Sequence, residues 1–145
     1  MTKKSSKVDV ENIHPSISVG KSKVVDVINS ILKEEGVECK HINVIFVDDP
    51  YISRLNREFL GREGPTDVMA FLLGDEGERI EGEIYVSLDR AWDQAEEYGV
   101  ELEEEIHRLV IHGVLHLLGY EDRSLREKTL MTQKQEGYLK SLTKP

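Results

Sequence analysis

Residues 107–122 read HRLVIHGVLHLLGYED. His112 and His116 are four residues apart, so on an α-helix they project from one side, one turn apart. Within residues 109–118, every residue except these histidines and Gly113 is branched and apolar, which predicts a helix buried on most sides. Buried imidazoles need compensating partners, and a shared metal ion would supply them.

A third ligand follows this helix. Gly119 stands where a left-handed residue can end the helix, so the chain can turn back sharply and bring Asp122 near the two histidines. Two imidazole nitrogens and one carboxylate oxygen, with water in the remaining position, match a catalytic zinc site. We therefore predict one Zn²⁺ per chain, held by His112, His116 and Asp122 in a cleft formed by the helix and the turn after it.

The same ligand spacing occurs in zinc peptidases of the HExxHxxGxxH type, which place a general-base glutamate directly after the first histidine. Here that position is Gly113, so peptide hydrolysis is disfavoured. Of the nearest carboxylates, Glu105 is two turns away along the helix and Glu121 points from the turn. A zinc hydrolase of another substrate stays an alternative, but a weakened one.

The histidines also have an interpretation without a metal. His112 and His116 would then be satisfied core residues, and Asp122 only the turn residue before the last helix. His107 is on roughly the opposite side of the helix from His112 and is predicted to be a surface or helix-packing residue. The remaining two, His14 and His41, have no partner at ligand spacing and are predicted to be structural.

In the rest of the sequence, short apolar runs alternate with amphipathic segments, and one pair of runs is placed to form a hairpin. This pattern predicts an α+β fold, a small mixed sheet covered by helices. The predicted strands are an extended piece around residues 8–17, then His41–Val47, Thr66–Leu73 and Glu83–Ser87, with an acidic loop over 74–82. Helices are predicted over 24–32 ending at Gly36, from Pro50, from Asp89 to Gly99, over 102–118 and from Ser124 to Leu142.

Length and composition set further limits. A chain of 145 residues suits one domain, 1–145, with residues 1–7 as a flexible tail. The net charge of −9 disfavours indiscriminate binding to DNA or to membrane surfaces, so contact with a nucleic acid needs a local basic patch such as Arg54–Arg62. Cys39 is the only cysteine, which excludes an intrachain disulfide and fits a cytoplasmic protein. No apolar run approaches the roughly 20 residues of a membrane span.

Three motifs resemble those of the YbeY family of metal-dependent endoribonucleases, the rRNA maturation factors. HGVLHLLGYED is similar to the family's HGxLHLxGYDH, LNREFLGREGPTDVMAF at 55–71 to LNxxYRGKxxPTDVLSF, and GEIYVS at 82–87 to GDIVIS. The resemblance implies a mixed sheet with helices around a metal cleft. It also implies cleavage of single-stranded RNA, 3′-end maturation of 16S rRNA and late quality control of the small ribosomal subunit.

The sequence departs from this family at two positions. Asp122 aligns with a third histidine ligand, and a carboxylate there should make the metal a weaker Lewis acid. Leu60 replaces an arginine thought to act on the substrate phosphate, so catalytic residues beyond the metal site stay unassigned, although Arg57, Arg62 or Arg54 could take over.

Thr66 and Asp67 match residues that line the family's cleft, or they are a strand cap and turn. A second alternative for the whole protein is a ribosome-assembly factor with a structural metal and little activity.

Overall fold

The computed structural model describes residues 7–74 and 79–143. Its sheet has the strand order β1-β2-β4-β3, in which β1, β2 and β4 are parallel and β3 is antiparallel to β4. The strands are β1 Val8–Asn12, β2 Glu38–Val47, β3 Val68–Gly74 and β4 Arg79–Ser87. The helices are α1 Lys21–Glu35, α2 Asp49–Leu55, α3 Leu88–Tyr98, α4 Leu102–Leu117 and α5 Leu125–Thr143. The predicted α+β class, mixed sheet and hairpin are confirmed.

The two faces of the sheet are covered unequally. One face carries the larger core, in which Phe46 and Ile84 pack with α1, α4 and α5. The other face carries a small cluster that includes Val47 and Met69 and is covered by α2. Because strand β2 contributes to both clusters, it is an apolar strand buried on both faces.

The predicted acidic loop over 74–82 is partly wrong. β4 already begins at Arg79 and pairs with β2 from Glu38 onward, while residues 75–78 lie outside the described residues. Gly82 lies within this strand, and α4 passes closely above it. A Cβ atom at position 82 would be 2.8 Å from Leu117 Cδ2, so a glycine is needed there. A glycine that indicates a turn in the sequence here provides space for a helix.

Some large apolar side chains of the helical segments are exposed. Phe59, Trp92 and Leu130 expose 62%, 47% and 49% of their surface. For Phe59 the reason is local: α2 continues into a π-helical turn, Asn56–Leu60, whose wider spacing rotates the residue away from the face of Ile52.

The ends of the chain agree in part with expectation. Residues 1–6 of the predicted tail lie outside the described residues, but Lys7 is fixed, since its carbonyl accepts a hydrogen bond from Ile42 N at 2.9 Å. At the start of α5, Ser124 Oγ accepts from Glu127 N at 3.1 Å, which confirms the predicted N-cap. No helix within the described ranges is long and apolar enough to cross a bilayer.

Candidate metal centre

Two glycines set the position of helix α4 on the sheet. A Cβ atom on Gly113 would lie 2.6 Å from Ile84 Cγ2 and 3.3 Å from Val68 Cγ2, and Gly82 of β4 is similarly close to Leu117. The helix therefore rests almost directly on β3 and β4. A side chain at position 113 would enter the sheet rather than the metal centre, so the missing glutamate has a packing reason.

The chain turns sharply after α4, as the sequence predicts. Gly119 has a φ of 102°, its backbone N–H donates to His116 O at 3.0 Å, and Tyr120 N donates to Leu115 O at 3.0 Å. Only glycine adopts this conformation without strain. The turn brings Asp122 Oδ2 to 3.6 Å from His116 Nε2.

The structure brings together the three predicted ligands. One ligand atom each from His112, His116 and Asp122 lies within 4.8 Å of the other two, and no other group of this kind occurs in the described part of the chain. The two rings are nearly perpendicular, at 81°, with centroids 4.7 Å apart. Helix spacing thus supplies two donors, and the glycine turn supplies the third.

Both imidazoles are oriented by hydrogen bonds at Nδ1. His112 Nδ1 donates to Gln135 Oε1 at 2.7 Å, and His116 Nδ1 donates to the Tyr120 carbonyl at 3.1 Å. Since an amide oxygen and a carbonyl oxygen can only accept, each Nδ1 carries the proton and each Nε2 keeps a free lone pair. Histidine ligands in metal sites are commonly fixed by such outer partners.

The loop that carries Asp122 is attached to the rest of the fold through Glu35, the last residue of α1. Glu35 Oε1 accepts from Tyr120 Oη at 2.9 Å, and Oε2 accepts from Lys134 Nζ at 2.8 Å and from Tyr138 Oη. Burial raises the pKa of the Glu35 carboxyl, but these hydrogen bonds outweigh burial and lower it overall. The carboxylate therefore stays ionised and joins α1, α5 and the loop.

The donor set fits a zinc ion. Ligand atoms about 2.1 Å from a tetrahedral ion lie about 3.4 Å apart, close to the 3.6 Å between His116 Nε2 and Asp122 Oδ2. Burial, and then the neighbouring His112, lower the pKa of His116, which favours the neutral imidazole that a metal requires. Two imidazoles and one carboxylate leave a fourth position for water or substrate.

The other three histidines lie outside this cluster. His107 is only 2% exposed, which supports helix packing over the surface alternative. His14 Nε2 is 2.8 Å from Asp89 Oδ1, and its Nδ1 accepts two backbone N–H groups, so it stabilises the turn after β1. His41 Nε2 is 2.7 Å from Asp9 Oδ2 between neighbouring strands. The structural interpretation of His14 and His41 agrees with these contacts.

The basic segment Arg54–Arg62 begins at the end of α2, continues through the π-helical turn and ends just after it. Leu60 is 53% exposed, and both Arg57 and Arg62 are exposed at the surface. The guanidinium of Arg54 lies 5.3 Å from the centre of the Tyr51 ring. The position of the missing family arginine is thus open to solvent, with two exposed arginines close to it in sequence.

Further carboxylates near the motif have structural partners. Asp67 accepts from Gln94 Nε2 at 3.2 Å and, through its carbonyl, from Ser87 N at 2.9 Å, as expected of a residue at a strand start. Glu105 is 1% exposed and bound by Arg108 at 2.6 Å. Thr66 is half-buried beside Asp67.

Sequence reasoning missed the outer partners of the two histidines. Gln135 comes from α5, and it shares the helix face of the buried residues Met131 and Leu139, at i and i+4 spacing. A polar residue on the apolar face of a helix is a signal that could have identified it. The Tyr120 partner is a backbone carbonyl, for which a sequence contains no signal.

Comparison with known proteins identifies one family. Residues 7–143 match the family described as endoribonuclease YbeY. The endoribonuclease YbeY of Pelotomaculum thermopropionicum is 44% identical over 117 residues, covering 75% of this chain and 77% of that protein. That of Salinibacter ruber is 34% identical over 143 residues, covering 93% and 91%.

A solved structure leads to the same fold. The solution structure of a Thermotoga maritima protein aligns with a TM-score of 0.65 and 31% identity, covering 93% of this chain and 88% of that one. Together with the family match over nearly the whole described chain, this confirms the resemblance that the three motifs indicated. The chain belongs to the YbeY endoribonuclease family.

Proposed function

We propose that the protein is a zinc-dependent endoribonuclease that cleaves single-stranded RNA, acts in 3′-end maturation of 16S rRNA and in quality control of the small ribosomal subunit, and works in the cytoplasm. The observation that carries the proposal is the cluster of His112, His116 and Asp122, in which both imidazoles keep Nε2 free. Membership of a family whose relatives are named endoribonucleases supplies the substrate class.

The zinc ion and the residues that would hold it have different roles in the proposed reaction. A bound zinc ion would polarise a phosphodiester oxygen and make a coordinated water more acidic. Its ligands would be His112 and His116 through Nε2 and Asp122 through a carboxylate oxygen. Because no side chain at position 113 can face the site, the chain offers no carboxylate base there, and proton removal depends on the acidity that the metal confers.

Substrate binding is assigned to the exposed basic segment. Arg57 and Arg62 flank the position at which the family has an arginine, and a guanidinium can bind a phosphate with two parallel hydrogen bonds. With a net charge of −9, the protein cannot attract RNA with its whole surface. Binding should therefore be weak at high salt and sensitive to either arginine.

The test compares RNA cleavage by the metal-loaded wild type on single-stranded and duplex RNA of equal length. Single strands should be cut and duplexes spared. The His116→Ala variant, purified in the same way, controls for contaminating nucleases and should be inactive. Cleavage by His116→Ala at the wild-type rate would show that the activity does not come from this site.

Restoring the family's arginine sharpens the test. Leu60→Arg should raise the cleavage rate, because a guanidinium can stabilise the negative charge that develops on phosphate in the transition state. The gain should be small if Arg57 or Arg62 already does this, and in that case Arg57→Ala or Arg62→Ala should lower the wild-type rate. Lys33→Ala, on exposed α1 surface, is a charge-matched control that should leave the rate unchanged.

One observation favours a second candidate, a ribosome-assembly factor with a structural metal. Leu60 is an exposed leucine where the family has a basic residue, and a leucine cannot bind phosphate. If neither the wild type nor Leu60→Arg cuts RNA while cells lacking the gene accumulate unprocessed 16S rRNA, the assembly factor replaces the enzyme.

A further inference from the structure

Gln135 of α5 forms a hydrogen bond with the candidate metal ligand His112, and its amide is held from both sides. Its Oε1 accepts the proton of His112 Nδ1 at 2.7 Å, while its Nε2 donates to Glu136 Oε2 at 3.1 Å. Gln135 is half-buried, and its side chain reaches from α5 to His112 on α4. Exchanging the two ends of the amide would place a donor against His112.

Glu136 decides which end of the amide faces the histidine. An ionised carboxylate only accepts hydrogen bonds, so the NH₂ group of Gln135 must point toward it and the oxygen toward His112. The hydrogen bonds from Arg108 lower the pKa of the Glu136 carboxyl and keep it ionised. The polarity of one charged group thus fixes the orientation of a neutral one.

Arg108 anchors this arrangement from α4. Its Nε donates to Glu136 Oε2 at 2.8 Å and its Nη2 to Glu136 Oε1 at 3.2 Å, a two-point contact. The same guanidinium binds Glu105 at 2.6 Å and Glu104 at 3.0 Å, so it is fixed on its own helix. Two-point contacts of this kind are geometrically specific as well as strong.

We propose that Gln135 is a positioning residue that holds His112 in the tautomer with a free Nε2, and that Arg108 and Glu136 set the orientation in which it does so. Arg108 positions the carboxylate of Glu136, and that carboxylate orients the amide of Gln135. The amide in turn orients the imidazole of His112. An ion pair one turn before His112 on α4 thereby controls the affinity of the centre for Zn²⁺. The inference rests on the proposed metal site but not on any activity toward RNA.

The experiment uses Gln135→Met, which keeps the length of the side chain and removes the acceptor, and Gln135→Glu, which keeps an acceptor. Gln133→Met, at an exposed position of the same helix, is the matched control. Zn²⁺ affinity is measured by competition with a chelating dye. Gln135→Met should bind about 10–100-fold more weakly, the usual cost of losing an outer partner, and Gln133→Met should stay near wild type. Gln135→Glu should lie between the two, because its carboxylate still accepts from His112 but faces the Glu136 carboxylate.

A second measurement needs no metal. Nitrogen-15 NMR of the imidazoles in metal-free protein, above pH 8, reports which ring nitrogen of His112 carries the proton. The wild type should show a proton on Nδ1, Gln135→Met a mixture of both tautomers, and Glu136→Gln an intermediate state because its amide no longer fixes Gln135. Thermal unfolding of the metal-free variants should remain near wild type, which separates positioning from stability.

The outcomes distinguish this proposal from the proposed function. If Gln135→Met binds zinc as tightly as the wild type and keeps the proton on Nδ1, the positioning role is overturned, whatever the protein does to RNA. If the wild type binds no zinc, the metal centre fails, while the NMR comparison still decides whether Gln135 orients His112.

Discussion

The two halves of helix α4 use the same residue type in opposite ways. Near its start, His107 is 2% exposed, and its Nδ1 has no hydrogen-bond partner within the described residues. Near its end, His112 and His116 are half-buried, and each Nδ1 donates to an oxygen from another part of the chain. One imidazole is packed as an apolar group, and two are oriented as ligands.

The difference shows what makes a histidine a ligand. Burial alone does not, since the Nδ1 of His107, the most buried of the three, has no hydrogen-bond partner in the described part of the chain. A hydrogen-bond acceptor at Nδ1 makes a histidine a ligand, because it fixes the proton on Nδ1 and leaves Nε2 free. In both ligands that acceptor comes from outside the helix. Substitutions in the two halves of α4 test whether burial or the acceptor at Nδ1 makes a histidine a ligand.

The largest effect is expected from removing one histidine of each kind. His112→Ala should lower zinc affinity by more than about 100-fold, since even an outer partner is worth 10–100-fold. His107→Phe should keep about one zinc per chain, because a packed ring replaces a packed ring. Elemental analysis of both purified variants checks this, and equal zinc content would remove the distinction between the two halves.

The third ligand gives the next effect. Asp122→Ala should also bind zinc more than about 100-fold more weakly, whereas Asp122→His should keep the ion, since either side chain can complete a tetrahedral set. Glu121→Ala, one residue earlier on the same loop, is the control for changes in the loop itself. Tight zinc binding by Asp122→Ala would make Asp122 only a turn residue.

A smaller effect concerns the closeness of α4 to the sheet. Gly113→Ala places a Cβ atom 2.6 Å from Ile84 Cγ2, and such overpacking typically costs about 1–3 kcal/mol. A helical alanine gains about 1 kcal/mol over glycine, so the free energy of unfolding should fall by up to about 2 kcal/mol. Gly137→Ala on α5, with nothing within 4 Å of its Cβ, should instead be stabilising. Urea unfolding of both variants checks the opposite signs.

The smallest effect is a pH dependence at the start of α4. Burial, with a smaller contribution from Lys23, lowers the pKa of His107 from its usual 6.5, although Glu103 opposes this. Below pH 6.5 the unfolded chain binds a proton that the folded residue resists, so stability is fully present above that pH and declines below it. His107→Phe should lose less stability than the wild type between pH 7 and pH 5. Parallel loss in both would place the pH dependence elsewhere.

Much of the fold could be predicted because its signals are local. The periodicity of α4, the N-cap at Ser124 and the turn at Gly119 depend on residues close together in the chain. The loop predicted over 74–82 was wrong at Gly82, because the strand there depends on a helix 35 residues later. The exposure of Phe59 depends on a π-helical turn, which the periodicity does not indicate. That residues 1–145 form a single domain stays a prediction.

The three candidate metal ligands could be predicted because their sequence signals are also local. The residues that orient these ligands could not be predicted. Two ligands a helical turn apart and a third after a glycine turn are encoded within eleven residues. Gln135 and the Glu35 anchor lie 23 and 85 residues from the groups they hold, so only the tertiary fold reveals them. Their contribution depends on how helices α1 and α5 pack, which periodicity does not specify.

The contact beneath Gly113 also limits how this scaffold can change by mutation. A glutamate after the first histidine would complete the peptidase motif, but its Cβ would meet the fully buried Ile84. Making room first, by Ile84→Ala, leaves a cavity that typically costs about 2–5 kcal/mol, a large part of the 5–15 kcal/mol that holds an ordinary domain folded. Either order of substitution passes through a destabilised protein. The packing of one glycine against one isoleucine therefore sets an energetic barrier between the two motifs, because each single substitution on the way destabilises the fold.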